Sequence, residues 1–254
     1  MIKDSFPVKL LLKPAETFSA IAGGETGWAW PLGIFAASVT ATALLLSLAP
    51  AQFLAAASTD LPAPAGLMFT DYLAAGLPGG LGFAFFFCAL LSDFTSLLKS
   101  GRLMLRAPLP LAGVTAYALF FIIRLNARAG GAAGWAIAAA ALLFSVWAAF
   151  WYRKTWLGLM KAYLAVSVFS IIAALAGGAA ALAGSTGAYK VSEYLFAILS
   201  LVWLLKAAGA MTGLSGARSF CALVPAMLGA AAFAFSLLTL GLIKPELFQL
   251  LLLM

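Results

Sequence analysis

Charged residues divide this chain into long apolar runs. No residue between Glu25 and Asp60 is charged, and Ala29 to Ala49 fills a span. Asp71 and Asp93 bracket 21 uncharged residues, Tyr72 to Ser92. Arg106 and Arg124 enclose 17, Arg128 and Arg153 enclose 24, Lys161 and Lys190 enclose 28, and Arg218 and Lys244 enclose 25. At the helical rise of about 1.5 Å per residue, each run can cross a hydrocarbon core about 30 Å thick. The exception is Tyr194 to Leu205, only 12 residues between Glu193 and Lys206. Apolar residues continue past Lys206 to Met211. This run spans only if Lys206 snorkels or faces protein, or if Glu193 sits at the opposite interface. The pattern predicts an all-α polytopic bundle of seven spans, with six as the alternative.

The chain before the first run behaves differently. Phe6 to Leu12 is apolar but interrupted by Pro7 and Lys9, so it is no signal-peptide core, and Ala20-Ile21-Ala22 is not read as a cleavage site. Pro14 suits a helix start and Gly23-Gly24 a helix end. Phe18, Ile21 and Ala22 share one face, away from Glu16 and Ser19. The spacing predicts a short interfacial helix lying flat before the first span. The chain then reads as one transmembrane domain over residues 1–254, with a leader to residue 28.

Composition sharpens the class. Hydrophobic residues make up 65% and charged residues 9%. A soluble domain of this length has too little interior to hide so much apolar side chain, so the surrounding medium is lipid. That excludes a cytosolic enzyme, a nucleic-acid binder and a disordered chain. The absence of histidine removes Ser-His-Asp and Cys-His catalysis and histidine-ligated metals. Cys88 and Cys221 stand alone in apolar surroundings and read as small hydrophobes. No metal or cofactor is expected.

The net charge of +7 reads as topology and contact with anionic lipid. Assigning basic residues to alternate sides puts eleven with the N-terminus and four opposite. The positive-inside rule then places the N-terminus in the cytoplasm of a bacterial inner membrane. Lys99, Arg102, Arg106, Arg153, Lys154 and Lys161 are the expected inner-face contacts for anionic headgroups. Trp28, Trp30, Trp135, Trp147, Trp151, Tyr152, Trp156, Tyr189 and Tyr194 gather at span edges, as interface anchors do. A Trp151/Tyr152/Trp156 stacking site is the less favoured reading. Gly130/Gly134, Gly177/Ala181 and Gly209/Gly213 are small-residue pairs four apart, suited to close helix packing.

Candidate chemistry is sparse. Gly184-Ser185-Thr186-Gly187 and Gly213-Leu214-Ser215-Gly216 lack nucleophile-elbow spacing. No two acids lie three or four residues apart, and Gly79-Gly80-Leu81-Gly82 lacks the lysine of a phosphate loop. Asp93 and Lys206 are the intramembrane or interfacial charges. Asp93 is open to two readings, a cation or proton site, or an interfacial acid paired with Lys99, Arg102 or Arg106. Its closeness to the basic loop favours pairing.

The leader Leu12-Lys13-Pro14-Ala15-Glu16-Thr17-Phe18-Ser19-Ala20-Ile21 resembles the P-x-x-x-F-x-x-I opening of bacterial Yip1-domain proteins, with Trp30-Pro31-Leu32 starting the first span. The resemblance covers residues 10 to 185 and implies a five-helix region over 29–185. Residues 186–254 would add two helices. It carries over no catalytic residues. It implies a non-enzymatic, membrane-organising or adaptor role with lipids and protein partners, and no nucleic acid. The alternatives are a small-molecule or ion transporter and, third, an intramembrane enzyme. For transport, Pro78-Gly79-Gly80 and Gly177-Gly178 are the candidate helix breaks.

Overall fold

A computed structural model describes residues 6–57, 68–126 and 131–243. Lys3, Asp60, Arg128, Gly130 and Lys244 lie outside the described residues. The described elements are all helical: α1 (Phe6–Leu12), α2 (Pro14–Ala22), α3 (Ala29–Leu48), α4 (Ala51–Ala57), α5 (Phe69–Leu98), α6 (Leu103–Arg106), α7 (Pro108–Asn126), α8 (Ala132–Trp151), α9 (Arg153–Val166), α10 (Val168–Leu182), α11 (Thr186–Thr212) and α12 (Gly216–Thr239). Seven stretches are long and apolar enough to cross a membrane: α3, α5, Leu103–Leu125, α8, Arg153–Leu182, α11 and α12. The chain is a multi-pass helical membrane protein.

The doubtful sixth run is a 27-residue helix, α11, that carries Lys190, Glu193 and Lys206 within it. Single charges do not stop a helix, because its backbone is already satisfied internally. Lys206 is exposed and six residues from the helix end. That is about 9 Å along the axis, within snorkelling reach. The fifth span likewise starts at Arg153 and not after Lys161, and a single turn residue, Ser167, separates α9 from α10 within it. Pro78-Gly79-Gly80 and Gly177-Gly178 do not break their helices. Both lie inside continuous helix.

The fold comprises two compact units. Among the described residues the first takes 6–57, 68–81 and 161–204, and the second takes 82–126, 131–160 and 205–243. In the first unit α3 packs along α10. A Cβ on Gly177 would stand 3.2 Å from Leu45 and 3.0 Å from Tyr189, so glycine permits the close approach its spacing predicts. Tyr72 joins Ala43, Leu46 and Leu54 in a buried cluster. The expected leader helix is present as α2, preceded by α1. Leu10, Phe18 and Ile21 are buried by the chain itself, so the apolar face of the leader rests on protein. Trp203 Nε1 donates to the Leu10 carbonyl at 3.1 Å, and Phe6 stacks on Trp30.

In the second unit α12 packs along α7 and touches α8. Phe86 stacks on Phe233, and a Cβ on Gly229 would meet Leu90, so α5 and α12 are antiparallel. The same Cβ would meet Val114, while Tyr117 donates to Ser236 Oγ at 2.8 Å. Residue numbers rise together on both helices, so α7 and α12 are parallel. Parallel third and last spans require an odd number of crossings between them, which fits seven spans and not six. Tyr117→Phe should lower stability by about 1 kcal/mol, the scale of an interhelical hydrogen bond in lipid. The shift of the SDS-unfolding midpoint measures it.

Candidate membrane-surface site

The end of α5 concentrates the basic residues of the second unit. Its last carbonyls have no partner within the helix, and the helix dipole leaves them partly negative. Arg106 turns back from α6, and its Nη1 donates to the Leu97 carbonyl at 3.0 Å and to Ser100 Oγ at 2.9 Å. Arg218, in the first turn of α12, donates Nη1 to the carbonyls of Leu98 at 2.6 Å and Lys99 at 3.1 Å. Its Nη2 donates to the Gly101 carbonyl at 3.0 Å. Gly101 has φ +78°, and a Cβ there would lie 2.7 Å from Arg106 Nε. Only glycine meets both constraints.

Arg218 lay outside the expected lipid contacts, although the sequence held a signal. A cation in the first turn of a helix opposes that helix's own dipole, so its partner should lie elsewhere. Lys99 and Arg102 are exposed on the same turn. Asp93 does not pair with any of them. Among the described residues it makes no ion pair, and Arg106 Nη1 is held by a carbonyl and a hydroxyl instead. The spacing explains this: six residues of helix place Lys99 about 120° around the axis from Asp93.

Beside this cluster α6 exposes Met104 to 90% and Leu105 to 71%. The end of α8 offers a second zone of mixed character. Trp147 stacks on Trp151 with 5.7 Å between ring centroids, and both are exposed. Arg153 and Lys154 follow, also exposed. Trp156, expected among the interface anchors, instead turns inward. It packs edge-on against Phe85 and, with Tyr152, covers the buried Ala89, Ala148 and Ala149. The Trp151/Tyr152/Trp156 cluster is therefore divided between lipid-facing and core roles.

Lys161 has a different occupation. In the first unit its Nζ donates to the Thr26 carbonyl at 2.6 Å and lies 5.3 Å from the centre of the Trp28 ring. A lysine inside a span thus holds the junction between leader and first span. Lys161→Met should loosen that junction. Trypsin cleavage at Lys9 or Lys13, followed by mass spectrometry, should become several-fold faster, while the rest of the chain keeps its resistance.

No ligand-forming group of three or more Cys, Asp or Glu side chains occurs among the described residues. The chain matches no family model, no curated protein and no solved structure.

Proposed function

We propose that this is a non-enzymatic, membrane-organising protein of the bacterial inner membrane that works by contact with anionic lipid. The observation that carries the reading is the pairing of exposed cations with exposed apolar side chains in two places. Lys99 and Arg102 stand beside Met104 and Leu105, and Arg153 and Lys154 follow Phe150 and Trp151. Exposed cations beside exposed aromatic or aliphatic side chains match the headgroup level, where phosphate and hydrocarbon are both within reach. The excess of basic residues supports an inward-facing N-terminus. The leader motif supports a Yip1-like kinship, and with it an adaptor role toward protein partners.

The test is a variant with Lys99, Arg102, Arg153 and Lys154 all changed to Gln. Each basic residue near a membrane surface contributes about 1 kcal/mol toward anionic lipid. Native mass spectrometry of the purified chain should show co-purified anionic lipid falling by about tenfold or more. Unchanged retention would leave these residues with a topological role only.

A further inference from the structure

Resting on that reading, we propose that Lys99, Arg102, Arg106 and Arg218 form one binding site for the phosphodiester group of an anionic lipid. Arg106 and Arg218 both reach the turn from Leu97 to Gly101, one from α6 and one from α12. Their carbonyl and hydroxyl bonds fix both planar guanidiniums in place. A guanidinium carries more N–H donors than those bonds use. The rest of the Arg106 and Arg218 donors meet no acceptor among the described residues. Fixed, partly unfilled forks match a phosphate, which accepts two parallel bonds from each.

Charge points the same way. Four cations gather on one turn, and among the described residues none of them has a carboxylate partner. The carbonyls at the end of α5 offset only about half a unit of that charge. A bound oxyanion supplies the missing compensation. The Lys99 and Arg102 side chains, exposed and without a hydrogen bond among the described residues, close over it, while Arg106 and Arg218 form its floor. The source of the phosphate is a lipid and not the free ion, because Met104 and Leu105 are largely exposed beside the site. Those side chains suit acyl chains. A filled site would also join the end of α5, α6 and the start of α12 through one ligand.

The test uses the 254-residue chain stripped of lipid in detergent. Phosphatidylglycerol, phosphatidylcholine and inorganic phosphate are titrated separately, read by native mass spectrometry and by melting temperature. Phosphatidylglycerol should bind and raise the melting temperature, and phosphatidylcholine should not. Lys99→Gln with Arg102→Gln should weaken phosphatidylglycerol binding by about thirtyfold. Arg218→Lys, which keeps the charge and loses the fork, should weaken it comparably with unchanged elution on a sizing column. Arg153→Gln with Lys154→Gln should weaken it less than the Lys99/Arg102 pair does, and Lys13→Gln, on the exposed leader, should leave it within about twofold.

Wild-type affinity in the Lys99/Arg102 pair would overturn the site, and that pair remains decisive if Arg218→Lys does not fold. If the loss follows Arg153 and Lys154 instead, the site falls while the broader lipid reading stands. If the fourfold variant also retains its lipid, both fall. Inorganic phosphate that stabilises the chain as much as phosphatidylglycerol does would overturn the lipid as the source.

Discussion

Gly229→Leu should destabilise the second unit by about 3 kcal/mol, the upper end of what overpacking costs in a filled interior. A Cβ at this position already lies 2.6 Å from Leu90 Cδ1 and 3.2 Å from Val114 Cγ2. The leucine side chain would have to displace α5 and α7 from α12 together. Gly229→Ala should behave differently. Leu90 can swing its terminal methyl away, and alanine recovers about 1 kcal/mol of helix propensity over glycine. The alanine variant should therefore melt close to wild type and the leucine variant far below it. Melting in detergent, followed by tryptophan fluorescence, separates the two. A leucine variant as stable as wild type would show that the three helices do not meet at Gly229.

Arg218→Met should cost about 2 kcal/mol in lipid-free detergent. The substitution removes three charge-assisted bonds to the carbonyls of Leu98, Lys99 and Gly101. Hydrogen bonds to charged groups are worth about 1.5–3 kcal/mol each when buried. Arg218 is only half-buried, and water partly replaces it, so the three together contribute far less than their sum. Arg102→Met under the same conditions should stay within about 0.5 kcal/mol of wild type, because the Arg102 side chain is exposed and makes no hydrogen bond among the described residues. Equal melting of the two variants would mean that Arg218 does not hold the end of α5.

The two substitutions probe different kinds of legibility. Glycine at 229 belongs to no small-residue pair that stands out in a chain so rich in alanine and glycine. Its neighbours Leu90 and Val114 are more than a hundred residues away in sequence. Arg218 could be suspected of an external partner from its place in a first helical turn. The identity of that partner could not be read, because backbone carbonyls carry no residue signature. Gly177 was easier: its pair with Ala181 marked a close approach, and α3 with Leu45 makes it.

By itself the sequence determined the solvent and the secondary structure, and narrowed the crossings to seven or six. Uncharged runs long enough for a bilayer leave only helices, since every backbone group in lipid must be paired within its own segment. Pro14 at the start and Gly23-Gly24 at the end likewise determined that a short helix, Pro14–Ala22, forms between them. Only tertiary structure decided that α11 continues through Lys190, Glu193 and Lys206, because a helix already satisfied along its backbone tolerates a charge whose side chain reaches an interface. Only tertiary structure decided that the face of the leader rests on protein, with Leu10 and Phe18 buried. An apolar helical face has the same spacing whether lipid or another helix covers it. The fate of each cation was decided there too. Lys161 went to Thr26 and Trp28, Arg106 and Arg218 to the end of α5, and Lys99 and Arg102 to the surface. A positive charge takes whichever acceptor the fold brings within about 3 Å, and sequence distance does not reveal that separation.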